Sequence, residues 1–152
     1  MRRRNVLLLI AAGVTVFLVL SALLARALSV GGAEDSAITS LVTAEARGDA
    51  AKVVAAITGC RGDRACQARA AADAAALERR GTVSIIQIQG SAGFSLTGSE
   101  GTARVAWLVG SSLPIVQCVR VRRGGDVLQG FEIELLAVSP RIKSDADCPA
   151  RF

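Results

Sequence analysis

The stretch that governs the rest of the chain is residues 2–26, with the sequence RRRNVLLLIAAGVTVFLVLSALLAR. Three arginines precede an uncharged segment, and from Val6 onward only Gly13, Thr15 and Ser21 interrupt its apolar residues. About 20 helical residues at roughly 1.5 Å each span about 30 Å, the thickness of a bilayer's hydrocarbon core. We therefore predict one transmembrane signal-anchor helix, within a segment of residues 1–29 that also carries the arginine cluster.

The position of these arginines predicts the orientation of the chain in the membrane. Arg2, Arg3 and Arg4 lie before the apolar run and favour a cytoplasmic N-terminus, with the remaining residues outside the cytoplasm. An alternative is secretion after cleavage following Ala27, because Ala25-Arg26-Ala27 fits the small-x-small pattern of a signal peptidase site. A secretory apolar region usually has about 7–15 residues, which favours the uncleaved anchor. The predicted location is the cell membrane, with a single span.

The charge of the chain lies mainly in this N-terminal segment. The formal net charge is +5, from 18 basic and 13 acidic residues. Four of the basic residues and none of the acidic ones lie in residues 1–30, so residues 31–152 hold 14 basic and 13 acidic groups. We therefore predict no nucleic-acid partner. Arginine outnumbers lysine 16 to 2, which is typical of proteins from GC-rich bacterial genomes.

The remaining chain has the size of one globular domain. We predict a linker at residues 30–34, an extracytoplasmic domain at residues 35–138 and a polar C-terminal tail at residues 139–152. Apolar residues recur at helical spacing in three segments between residues 35 and 77. Gly48 and Asp49 suit the end of one helix and the cap of the next, and Asp63 suits the cap of the third.

From Gly81 onward, β-branched residues separated by glycine predict strands. The expected strands are residues 82–89, 94–97, 102–109, 115–122 and 127–138. Helices followed by antiparallel strands predict an α+β fold, with about three helices on one face of a four- to five-stranded antiparallel sheet.

The last two strands allow a prediction of register. Their apolar residues match across the hairpin only if the loop has an odd number of residues, such as Gly124-Gly125-Asp126. The same register places Arg120 and Arg122 on the outer face of the sheet, together with Glu132 and Glu134.

Several classes of chemistry are excluded by composition. The chain has no histidine and no tyrosine, which excludes Ser-His-Asp and Cys-His catalysis and histidine-ligated metal sites. We predict no catalytic residues, no metal site and no cofactor. Three acidic residues remain as candidates for a pocket, namely Asp49, Asp73 and Glu78. Asp73 follows Arg69 by four residues on a predicted helix, a spacing that also suits an ordinary surface ion pair.

Four cysteines in an extracytoplasmic domain favour disulfide bonds. Three pairings are possible. We favour Cys60–Cys66, which closes a small loop between two helices, and Cys118–Cys148, which holds the tail over the outer face of the sheet. The crossed pairings would require the helix turn to reach the middle of the sheet.

The helix junction Ala44-x-x-x-Gly48-Asp49, followed by more helix and by antiparallel strands, resembles the cystatin-like α+β roll of the nuclear-transport-factor-like and ketosteroid-isomerase-like superfamily. Within that superfamily, the chain resembles small membrane-anchored actinobacterial proteins of unknown function. The resemblance covers roughly residues 35–138. Enzymes of that superfamily use Asp, His or Tyr in a pocket between sheet and helices, so a chain without His and Tyr does not inherit their activity. The cystatin Gln-x-Val-x-Gly loop is also missing, because residues 86–90 lack its leading glutamine.

Three functions follow as hypotheses. The first is a membrane-tethered, non-catalytic domain that binds a protein partner in the cell envelope. The second is a carrier or sensor of a small apolar ligand between sheet and helices, and the third is a minimal enzyme with a lone carboxylate. A filled interior favours the first, whereas an open pocket that contains Asp49, Asp73 or Glu78 favours the others.

Overall fold

The computed structural model describes residues 2–90, 99–126, 130–143, 146–149 and 152. The chain forms two compact units, residues 1–32 and residues 33–152. The helical elements are α1 (Arg2–Ala46), α2 (Ala50–Ala56), a short 3-10 helix (Cys60–Gly62) and α3 (Arg64–Leu77). The strands are β1 (Val83–Gln89), β2 (Ser99–Val109), β3 (Ile115–Asp126) and β4 (Gly130–Val138).

The first unit is the N-terminal part of α1. Residues Asn5–Ala25 have the length and apolar composition of a membrane-spanning helix or a signal sequence, and their large side chains are exposed. Arg2, Arg3 and Arg4 lie in the first turn of α1. The helix also continues through residues 30–34, where the sequence predicted a linker. Glycine in a helix costs only about 1 kcal/mol relative to alanine, so Gly31 and Gly32 do not by themselves end the helix.

In the second unit, the junction of α1 with α2 and the start of α3 lie at the predicted residues. Gly48 has φ +68°, a conformation that suits a helix C-terminus, and follows the last turn of α1. Asp49 caps α2, where its Oδ1 accepts a hydrogen bond of 3.1 Å from the Lys52 N–H. Asp63 caps α3 by accepting hydrogen bonds from the N–H groups of Ala65 and Cys66.

The strands form one antiparallel sheet in the order β1-β2-β3-β4. This agrees with the predicted α+β class and the antiparallel sheet. The strand predicted at residues 94–97 lies outside the described residues. In β2, alternate residues are buried, and Trp107 pairs with Ile115 while Val105 pairs with Gln117. These residues line the core face of the sheet.

A β-bulge interrupts the pairing of β1 with β2. Ile85 pairs with Trp107 and Gln87 pairs with Ala106, which leaves Ile86 as the additional residue. If the pairing were regular through Ile86, strict alternation would place Ile85 and Ile88 on opposite faces. The bulge brings both of them to the core, whereas Ile86 is 53% exposed.

The turn of the β3–β4 hairpin lies later in the chain than predicted. Residues 124–126 are not a loop, because Gly124 pairs with Glu132 and β3 continues to Asp126. β4 begins at Gly130, and a bulge between Arg120 and Val121 separately shifts the register by one residue. Arg122 and Glu134 share the outer face as predicted and lie opposite each other, with Arg122 Nη1 3.2 Å from Glu134 Oε2.

The C-terminal tail lies along β3 beyond the end of β4. The Ser139 N–H donates to the Cys118 carbonyl at 2.8 Å, and the Ile142 N–H donates to the Val116 carbonyl at 2.8 Å. Val116 and Cys118 are buried, although they belong to the outer face of the sheet. The tail therefore covers part of that face instead of extending freely into solvent.

Candidate functional site

Asp49, the first predicted pocket residue, has a structural role. Its carboxylate caps α2 and forms an ion pair of 2.7 Å with Lys52 Nζ. The hydrogen bonds and charge of Lys52 hold the pKa of Asp49 below its usual value. A carboxylate committed to a helix cap is not available to a ligand.

Glu78, the second predicted pocket residue, lies exposed at the C-terminal end of α3. Its carboxylate contacts the junction between α1 and α2, because a Cβ at Gly48 would lie 2.9 Å from Glu78 Oε2. The next N–H group, from Arg79, donates to the Ala46 carbonyl at 2.8 Å. Glu78 therefore belongs to the contact between the end of α3 and the α1–α2 junction.

Asp73, the third, is half-buried and lines a small cavity of about 30 Å³. Burial raises the pKa of Asp73, and the positive charge of Arg69 partly opposes this shift. Among the described residues the two side chains form no ion pair within 4.0 Å, in contrast to the surface pair that the sequence suggested. The other lining residues are Ile57, Cys66, Arg69, Ala70, Leu136, Ala137, Val138 and Phe152. A cavity of this size holds about one or two water molecules.

Glu45, which is not among the predicted site residues, is fully buried near the end of α1. In the part of the chain that the structure describes, neither of its carboxylate oxygens has a hydrogen-bond partner. Its neighbour Gln117 makes other hydrogen bonds: Gln117 Oε1 accepts from Trp107 Nε1 at 2.8 Å, and Gln117 Nε2 donates to the Ser139 carbonyl at 3.1 Å. Glu45 is therefore a buried acid beside a glutamine whose side-chain oxygen and nitrogen are both hydrogen-bonded to other groups.

Burial in this core raises the pKa of Glu45 from 4.5 to about 7. The Gln117 amide lowers the pKa, and the negative charge of Asp73 raises it further. A group that titrates near pH 7 has the acidity that acid–base catalysis requires. Glu45 has no exposed surface, however, so no substrate reaches it in this conformation.

A second buried carboxylate, Glu34, was also missed. Only 1% of Glu34 is exposed, and its Oε2 accepts a hydrogen bond of 2.7 Å from Arg123 Nε and another from Arg123 Nη2. Glu34 and Glu45 both lie on the helical stripe that contains Ile38 and Leu41, at intervals of four, three and four residues. Acidic residues on the apolar face of a helix are the signal by which the sequence could have identified them.

A surface groove of about 490 Å³ lies where the β2–β3 turn meets the C-terminal tail. We call it the turn–tail groove, and it is lined by Leu113, Pro114, Arg141, Ile142 and Lys143. Leu113 is 79% exposed. The sequence analysis did not predict this groove, because its walls come from segments more than 25 residues apart.

Disulfide bonds join Cys60 to Cys66 and Cys118 to Cys148, the two pairs that the sequence favours. The Cα atoms are 5.3 Å and 5.7 Å apart, within the usual range for disulfides. Two disulfides suit an extracytoplasmic domain. Among the described residues, no group of three or more His, Cys, Asp or Glu side chains is arranged to hold a metal ion.

Comparison of the chain with protein-family models, with curated proteins and with solved structures finds no match. The function is therefore inferred from the geometry of the core, the buried carboxylates and the turn–tail groove.

Proposed function

We propose that this chain is a membrane-tethered, non-catalytic domain that binds a protein partner in the cell envelope. In this proposal α1 anchors the chain with its N-terminus in the cytoplasm, and residues 33–152 lie outside. Helices followed by the antiparallel strands β1 to β4 support a cystatin-like roll as the fold of this domain. The two disulfides support its extracytoplasmic location.

Among the residues that the structure describes, the space between helices and sheet is filled by side chains, and this observation carries the proposal. Trp107, Val105 and Val119 occupy the core face of the sheet and are fully buried. Ile38 and Leu41 of α1 are likewise fully buried in the same hydrophobic core. A domain with a filled core and an exposed groove has its recognition surface on the outside.

A filled interior gives little support to the two alternative functions. Sites for small ligands usually have about 300–1,000 Å³, whereas the cavity beside Asp73 has about 30 Å³. A carrier or sensor of an apolar ligand would require the core to open. An enzyme with a lone carboxylate would require Glu45, the acid with the suitable pKa, to reach its substrate from a fully buried position.

The test of this function is capture of the partner from membranes. The full chain with a C-terminal tag is crosslinked in intact cells and purified, and a matched control retains only residues 1–32 with the same tag. We expect a distinct protein to copurify with the full chain and not with the control. Equal sets of proteins from both would contradict binding through the domain.

A further inference from the structure

The turn–tail groove combines an exposed apolar side chain with a fixed backbone. Leu113 follows a turn in which the Ser112 N–H donates to the Val109 carbonyl at 3.0 Å. The Ser112 hydroxyl in turn accepts a hydrogen bond of 3.2 Å from the Val109 N–H. Gly110 supplies the positive φ of +56° that this turn uses. These contacts hold Leu113 in place while 79% of it remains exposed.

The opposite wall of the groove is fixed to the same strand. Ile142 forms an antiparallel bridge with Val116, and Arg141 Nη2 donates to the Pro114 carbonyl at 3.3 Å. The disulfide from Cys148 to Cys118 holds the following part of the tail. Both walls are therefore ordered before any ligand binds, which reduces the entropy that binding costs.

The charge of the groove indicates what it binds. Arg141 and Lys143 are both exposed, and neither takes part in an ion pair with any residue that the structure describes. Unpaired cations beside exposed Leu113 and partly exposed Ile142 complement a ligand that carries both acidic and apolar side chains. We propose that the turn–tail groove binds an acidic segment of a partner protein, with an apolar side chain placed against Leu113. This inference rests on the proposed partner-binding function.

The size and lining of the groove suit a few side chains of a protein segment. Its volume of about 490 Å³ lies between residues 113–114 and residues 141–143. A segment with acidic and apolar side chains can place an apolar one against Leu113 and acidic ones near Arg141 and Lys143. Binding to anionic lipid is the outcome against which this occupant is tested.

The decisive measurement uses the full chain in nanodiscs of uncharged lipid and two fluorescent peptides. One peptide contains Asp, Glu, Leu and Ile, and the other has Lys in place of each acidic residue. We expect the acidic peptide alone to bind, in a salt-sensitive manner. Leu113→Ser and the double variant Arg141→Gln/Lys143→Gln should each weaken binding about tenfold, which corresponds to about 1.4 kcal/mol. The matched control is Ile86→Ser, which removes an exposed apolar side chain from β1 and should leave the affinity unchanged.

Three results would overturn the groove assignment. The first is equal binding of both peptides, and the second is binding of the acidic peptide that the groove variants do not weaken. The third is a chain that binds anionic vesicles and neither peptide, and that loses vesicle binding in the Arg141→Gln/Lys143→Gln variant. Lipid would then be the ligand of the groove. Normal thermal unfolding and intact disulfides in each variant show that folding is not the cause.

A crosslinking experiment separates failure of this inference from failure of the proposed function. A photoreactive benzophenone amino acid replaces Leu113 in one protein and Ile86 in another, and both are irradiated in membranes. A partner crosslinked from position 113 and not from position 86 supports the groove. A partner crosslinked only from position 86 overturns the groove and retains the partner-binding function. Capture of no partner by the full chain contradicts that function, while the peptide measurements still decide the chemistry of the groove.

Discussion

Glu45→Gln should remove most of the dependence of domain stability on pH between pH 5 and pH 8. Glu45 is fully buried, and its pKa is about 7 in the folded protein instead of 4.5. The folded state therefore binds a proton more tightly than the unfolded state does. The stabilisation from this proton is complete below pH 4.5 and is lost as the pH rises through about 7.

The size of this effect follows from the shift in pKa. One pKa unit corresponds to about 1.4 kcal/mol, so the complete shift corresponds to about 3 kcal/mol. Between pH 5 and pH 8 the free energy of unfolding should fall by about 2.5 kcal/mol. With a urea dependence of about 1–3 kcal/mol per molar, the unfolding midpoint should fall by roughly 0.8–2.5 M. Glutamine has a similar shape and does not ionise. In the Glu45→Gln variant, the fall in the urea midpoint between pH 5 and pH 8 should therefore disappear.

Unfolding can be followed by the fluorescence of Trp107, because it is the chain's single tryptophan and is fully buried. The full chain is unfolded in urea from detergent micelles at pH 5 and at pH 8, without reductant. Glu132→Gln, at an exposed position on β4, is the matched control and should keep the dependence on pH, because it retains Glu45. If the urea midpoint of Glu45→Gln differs between pH 5 and pH 8 as much as that of the unaltered chain, Glu45 is not the source of the pH dependence.

Three further predictions concern orientation, solubility and the disulfides. A reporter that is active only outside the cytoplasm should be active when fused after Phe152, because the arginine cluster precedes the apolar run; activity of a cytoplasmic reporter alone would refute this. Residues 31–152 should be soluble without the first 30, and should show no salt-sensitive binding to random DNA at physiological ionic strength. Peptide mapping of exported protein without reductant should recover Cys60–Cys66 and Cys118–Cys148 peptides, whereas a Cys60–Cys118 peptide would contradict the structure.

The features that the sequence predicts well depend on neighbouring residues. Asp49 and Asp63 cap helices because their side chains reach N–H groups two or three positions ahead. The order of helices and strands follows from the change in apolar periodicity at Gly81. The disulfide pairs follow from which cysteines lie near a helix turn and which lie on the outer face of a strand.

The features that the sequence does not predict depend on distant segments. The raised pKa of Glu45 comes from burial in a core that distant segments complete, although its neighbour Gln117, 72 positions away, lowers the pKa. The pairing of β3 with β4 contains a bulge at Arg120, which alternation of apolar residues does not reveal. The turn–tail groove requires the bridge between Val116 and Ile142, which closes the tail against the turn.

The edges of the sheet limit how another chain can associate with this domain. On β4, the Thr58 N–H donates to the Leu135 carbonyl at 2.7 Å, so the segment after α2 occupies that backbone group. On β1, the bulge at Ile86 breaks the regular spacing of edge groups. Paired or irregular edges do not readily accept an additional strand, and this also protects a β-sheet from aggregation. For the proposed function, we therefore expect the partner to bind side chains of this domain instead of extending its sheet.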